Sequence, residues 1–160
     1  YQQGAVDDVD LALIRFEVPL ASPRPVPLNT AKNELSQVVT IVGWGYFGVG
    51  TLGRQYSDGR MRHGTNRISH SGRYLRTVFD DPRGVSTESL PTEGTLALGD
   101  SGGPALLVTE SGFRLAGVAV GQLSGTNYKE ETQGSYGAIA IYERVSSHLA
   151  WIESVIRSVN

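Results

Sequence analysis

Apolar residues in this chain come in short stretches separated by glycine-rich turns, over 37–43, 62–69, 74–79, 104–109, 113–120 and 136–142. Stretches of that kind, with turn signals between them and no long helical periodicity, predict an antiparallel barrel or sandwich. A further mostly apolar segment, Val9 to Phe16, reads as a buried strand ahead of the series. Between the two, prolines stand at 19, 23, 25 and 27. Proline fixes φ and lacks a backbone donor, so this stretch predicts an extended connector over 19–36. Only the tail changes period. Leu149, Ile152, Val155, Ile156 and Val159 recur at spacings of three and four behind a serine suited to an N-cap, which predicts an amphipathic helix over 146–160.

Composition sets bounds on this picture. A chain of 160 residues has single-domain length, and a domain of that size buries roughly 70% of the surface its unfolded chain exposes. Twenty glycines and seven prolines, with 19% charged residues, describe a turn-rich globular protein and not a disordered one. A net charge of −2 and a pI near 5.9 leave no electrostatic footprint for nucleic acid or an anionic membrane. No apolar run approaches the roughly 18 residues that span a bilayer, and no charged-then-apolar leader opens the chain. With no cysteine, disulfides, thiolate metal sites and thiol chemistry are excluded within this stretch.

The most informative residues are Gly99-Asp100-Ser101-Gly102-Gly103-Pro104. A serine between glycines can occupy a tight turn in which backbone N–H groups converge on whatever its hydroxyl attacks, because no Cβ blocks the approach. Gly-Asp-Ser clusters also mark ordinary turns. The hexapeptide resembles the nucleophile loop of the trypsin/chymotrypsin family of serine peptidases, and three further stretches fall in that family's order. These are Asp10-Leu11-Ala12-Leu13-Ile14, Val39-Thr40-Ile41-Val42-Gly43-Trp44-Gly45, and Tyr142-Glu143-Arg144-Val145-Ser146-Ser147 running into Trp151-Ile152.

The resemblance implies an all-β fold of two six-stranded barrels closed by a C-terminal helix. On that template residues 1–18 are a remnant of the first barrel, which is largely missing, 19–36 the interbarrel linker, 37–145 the second barrel and 146–160 the helix. A serine hydroxyl needs an adjacent base, and the base a group that holds its tautomer. Carried over by motif, Ser101 matches the nucleophile, the N–H groups of Gly99 and Ser101 the oxyanion hole, and Asp10 the carboxylate that orients the histidine. Asp10 also admits a plainer reading, as a surface acid beside Asp7 and Asp8. The histidine itself is expected upstream of Asp10, on an N-terminal segment of the same protein. His63, His70 and His148 lack the family context and read as exposed or partly buried side chains.

In the family the acid before the nucleophile, here Asp100, pairs with an ammonium group freed by propeptide cleavage. The substrate pocket maps onto Thr95, Val120, Gly121, Gln122 and Ala140. Neither Thr95 nor Ala140 offers the carboxylate that a cationic substrate side chain requires, and Gln122 in place of glycine shortens the slot. Relatives from vertebrates usually carry disulfides, so a chain without cysteine looks bacterial-type. The expectation is a secreted or cell-surface serine endopeptidase acting on protein or peptide substrates, without cofactor or metal, and inactive as an isolated fragment. A noncatalytic binding protein on the same fold and a serine esterase are the alternatives.

Two other motifs compete. Gly43-Trp44-Gly45-Tyr46-Phe47-Gly48 fits the dinucleotide-binding pattern G-x-G-x-x-G after a strand, but glycines at 50, 53 and 59 interrupt the helix that should follow. A metal held by His63 and His70 with Asp80 or Asp81 has no recognised ligand spacing.

Overall fold

The computed structural model describes residues 9–84, 88–123 and 133–158, together with the backbone of residues 2–3; Asp7, Asp8 and Val159 lie outside them. Among the described residues ten strands are formed: β1 (Gln2–Gln3), β2 (Ala12–Leu13), β3 (Val38–Gly43), β4 (Phe47–Val49), β5 (Gly53–Tyr56), β6 (Arg62–Ser71), β7 (Tyr74–Val78), β8 (Pro104–Thr109), β9 (Gly112–Leu123) and β10 (Ile139–Arg144). A 3-10 turn, Val145–Ser147, leads into the helix α1 (Leu149–Ser158).

Six of these strands close an antiparallel barrel in the order β10-β7-β6-β3-β8-β9. Alternation decides which residues fill it, since successive side chains on a strand point to opposite faces. Val39 and Ile41 of β3, Ala105 and Leu107 of β8, Leu75 of β7 and Ile68 of β6 are buried at every second position. Tyr142 and Ala140 come from β10. Burying each of the larger of these side chains stabilises the fold by about 1.5–3 kcal/mol. Tyr142 fills the centre only because β9 has a glycine beside it: a Cβ on Gly117 would lie 2.8 Å from the Cβ of Tyr142.

The long strand β9 departs from strict alternation at two points. Ala105 and Leu106 of β8 pair with Gly117 and Leu115, which leaves Ala116 extra. Ile141 and Tyr142 of β10 pair with Gly121 and Ala119, which leaves Val120 extra. Each is a bulge, and bulges bend a strand and re-aim its side chains. They let β9 serve two neighbours while curving round the barrel.

The segment from Val9 to Phe16 differs from the buried strand its composition predicts. Only Ala12–Leu13 form a strand, paired with Gln2–Gln3, while Ile14 and Phe16 are 76% and 60% exposed. The six strands close without it, and a closed barrel offers no free edge for another strand to join. The proline-rich stretch is exposed, then docks where β10 has ended: Asn29 donates to the Leu115 carbonyl and Leu115 to the Pro27 carbonyl, both at 2.8 Å. Nearby, Glu34 is fully buried against Arg144. The helix begins later than the periodicity suggests. Ser146 is drawn into the 3-10 turn, where its hydroxyl donates to Glu34, and the first helical bond instead runs from Ile152 to the carbonyl of His148.

Candidate active site

Residues 97–103 form the turn that leads into the barrel strand β8, tied down on three sides. Asp100 donates to the Ala97 carbonyl, Gly103 to the Asp100 carbonyl, and the loop meets β9 through Gly102 N–H to Ala119 O and Ala119 N–H to Gly103 O. Gly99 and Gly102 have φ of +92° and +81°, the left-handed region that glycine enters without steric cost. Ala119, which bonds Gly102 and Gly103 of this turn, is the neighbour in sequence of the bulged Val120. Ser101 is exposed at the tip. Among the described residues neither its hydroxyl nor the N–H groups of Gly99 and Ser101 have a hydrogen-bond partner.

The carboxylate of Asp100 turns inward. One oxygen accepts the Gly45 N–H at 2.8 Å and the other the Ala97 N–H at 2.9 Å. It reaches them because glycines stand in its way and nothing larger does. A Cβ on Gly43 would lie 1.9 Å from Oδ1, and one on Gly45 would lie 2.6 Å from Cγ. This accounts for the first two glycines of the G-x-G-x-x-G pattern; the third, Gly48, faces the Gly53 carbonyl within the β4–β5 hairpin, 1.9 Å from where its Cβ would stand. The first two glycines cradle a carboxylate of their own chain, and the residues after them make the β4–β5 hairpin and no helix. Beside Asp100 opens a cavity of about 360 Å³, whose lining includes Ile41, Phe79, Glu93, Thr95 and Arg62.

Asp10 is exposed, and its backbone N–H donates to Glu143 Oε1 at 2.9 Å. Glu143 is 1% exposed and its other oxygen is 2.9 Å from Nε2 of His148. Glu143 and Pro104 are the two cross-strand neighbours of Val118, so two interstrand spacings, about 10 Å, separate their backbones. Asp10's anchor and the Ser101 loop thus share one register position near the middle of β9.

The residues aligned with a substrate pocket are not all at one surface. Ala140 is fully buried in the barrel, whereas Thr95 lines the cavity beside Asp100. Gln122 reaches across from β9. Its Nε2 donates to Thr95 Oγ1 at 3.1 Å and to the Leu96 carbonyl at 2.6 Å, and its Oε1 accepts the Gly134 N–H at 3.1 Å. Val120 is the bulged residue and Gly121 has open space where a Cβ would stand. The hydroxyl of Tyr142 is buried, and among the described residues no partner lies within hydrogen-bond geometry; burial pushes its pKa up, the Thr77 hydroxyl opposes the shift and the negative charge of Asp100 adds to it. Glu93 spends its carboxylate on the N–H groups of Asp80 and Leu90. His63 and His70 lie exposed on β6, and among the described residues no three His, Asp or Glu side chains are grouped to hold a metal ion.

Sequence reasoning assigned no role to Glu143; it read His148 as an exposed or partly buried side chain, and His148 is partly buried, but its pairing with Glu143 was not foreseen. The available signal was the adjacent pair Glu143-Arg144 at the end of an apolar strand, since buried charges require partners.

The family model described as Trypsin matches residues 1–152. Phenoloxidase-activating factor 3 from Holotrichia diomphalia is 28% identical over 162 residues, covering 92% of this chain and 42% of that protein. The chain therefore spans less than half the length of this relative. Among solved structures, neuropsin, a serine protease expressed in the limbic system of mouse brain, matches with a TM-score of 0.57 and 17% identity over 83% of this chain and 54% of that one, a likeness of fold. With a closed antiparallel barrel, a C-terminal helix and a family match that runs over nearly its whole length, this chain belongs to the trypsin family.

Proposed function

We propose that this chain is the nucleophile-bearing half of a serine endopeptidase, with Ser101 as nucleophile and Asp10 orienting a histidine carried N-terminal to it. The observation that supports this most strongly is the turn at 99–103, where an exposed serine hydroxyl and the N–H groups of Gly99 and Ser101 are all unclaimed among the described residues. Ser101 Oγ adds to the scissile carbonyl while the histidine takes its proton, and the two N–H groups stabilise the oxyanion. The histidine then protonates the leaving amine, and water releases the acyl group from Ser101 by the same path reversed. Asp100, cradled by Gly43 and Gly45 beside the cavity, is the acid that a cleavage-generated ammonium would pair with. Thr95 and Gln122 bring no negative charge to the slot, so cleavage favours small or medium apolar residues and not Arg or Lys. The absence of cysteine supports a bacterial-type branch, and the family supports a secreted or cell-surface location.

A second reading, a noncatalytic binding protein, draws on the way Gln122 fills the slot through three hydrogen bonds. Reacting the full-length protein with a fluorophosphonate and mapping the adduct separates the two. The enzyme reading expects the adduct on Ser101, its loss in Ser101→Ala, and a fall in turnover of about 10⁴ in Asp10→Asn. Peptide hydrolysis that survives Ser101→Ala would remove the assignment.

A further inference from the structure

The stretch that carries Asp10 lies on the outside of a closed barrel, and little holds it there. Ile14 and Phe16 face solvent, β2 is two residues long, and of the residues from 9 to 16 only Val9 is buried. A group that must present its carboxylate in one direction requires a backbone held in one place. The Asp10 N–H supplies the hold by donating to Glu143, 133 positions away, at 2.9 Å.

Glu143 is built for this and for little else. Its carboxylate is 1% exposed, and a buried charge is retained only when its oxygens are satisfied. One oxygen takes the Asp10 N–H and the other faces Nε2 of His148, 17% exposed, just before α1. His148 thereby sets the plane of the carboxylate, and the plane sets where the Asp10 amide must lie. The same point on β9 also fixes the nucleophile, because Val118 is paired on one side with Glu143 and on the other with Pro104, the residue of β8 that follows the Ser101 turn. Position along β9 is therefore a common reference for both.

We infer that Glu143 is a positioning residue for the reaction, holding the backbone of Asp10 through its N–H, with His148 as the partner that orients the Glu143 carboxylate. The inference rests on the reading of Asp10 as the orienting acid. It assigns no proton transfer to Glu143 and no contact with substrate.

The test uses the full-length protein with Glu143→Met and Glu143→Gln, two side chains of similar size of which only glutamine retains an oxygen able to accept the Asp10 N–H. Hydrogen exchange resolved to the Asp10 amide is measured beside the fluorophosphonate reaction, separated into inhibitor affinity and maximal labelling rate at Ser101. In Glu143→Met the Asp10 amide should exchange roughly 10- to 100-fold faster, as expected for loss of a hydrogen bond to a charged acceptor. The maximal labelling rate should fall by a similar factor with inhibitor affinity unchanged, and Glu143→Gln should recover most of both. Faster exchange with an unchanged labelling rate would make Glu143 a structural tie only and overturn the inference, as would equal behaviour of the two variants. An unprotected Asp10 amide in the wild-type protein overturns it without any variant, so a Glu143→Met chain that fails to fold does not rescue it. Wild-type protein that never labels at Ser101 removes the proposed function instead, and the exchange comparison then still decides whether Glu143 holds Asp10.

Discussion

Replacing Arg144 by methionine probes how the connector is fastened to the barrel. The Arg144 guanidinium donates to both oxygens of Glu34, at 3.3 and 2.5 Å, and to the carbonyls of Ser71 and Gly72 at 3.1 Å. Glu34 has no solvent exposure. Burial pushes its pKa up, but the hydrogen bonds from Arg144 and Ser146 outweigh that and hold it below the usual carboxylate range. Arg144→Met leaves a buried carboxylate with the Ser146 hydroxyl as its side-chain donor. Breaking a buried pair from one side costs about 3–5 kcal/mol, a large share of the roughly 5–15 kcal/mol that holds a domain together. With a urea slope of about 2 kcal/mol per molar, the unfolding midpoint should drop by roughly 1.5–2.5 M. Adding Glu34→Met to Arg144→Met should restore part of the loss, because the second change removes the stranded charge. The pH dependence has a definite sign. A carboxylate whose folded pKa is depressed contributes stability that is fully present above its unfolded pKa, about 4.3, and is lost as pH falls through the lower folded value. Glu34→Gln should therefore flatten the acid limb of the stability profile. A midpoint shift below about 0.3 M in Arg144→Met, or losses that add in the double variant, would refute the reasoning.

Two further changes test the site and a third tests stability. Gly43→Ala puts a Cβ 1.9 Å from Asp100 Oδ1 and should break its bond to Gly45, slowing phosphonate labelling of Ser101 by roughly 10-fold or more while barrel hydrogen exchange is unaltered. Gln122→Gly removes the side chain that spans Thr95, Leu96 and Gly134, and a peptide-library cleavage profile should shift toward larger apolar residues by about 10-fold in kcat/KM. Asp80 has its pKa raised by burial, with Glu93 and Glu88 adding like charge, so its ionised form opposes folding. Asp80→Asn should raise the urea midpoint at neutral pH, and the gain should vanish as acid protonates the wild-type carboxylate.

The rhythm of strands was legible in the sequence because it is local. Alternation of apolar and polar positions reports which face of a strand meets the core, and β8 occupies 104–109, the stretch that alternation marks. Turn chemistry is local as well, which is why the glycines around Ser101 announced a tight loop before any coordinates did. What stayed hidden depends on residues brought together by barrel closure. Gly43-Trp44-Gly45 matches a nucleotide-binding pattern as a string, yet its glycines accommodate the carboxylate of Asp100, and the Gly45 bond spans 55 positions. Val9 to Phe16 has the composition of a core strand and lies outside, because six other strands complete the barrel without leaving an edge. Glu143 and Arg144 are adjacent in sequence, and their side chains point to opposite faces of β10. One therefore reaches Asp10 and the other Glu34, 133 and 110 positions away, partnerships that no periodicity encodes and that exist only once the sheet has closed.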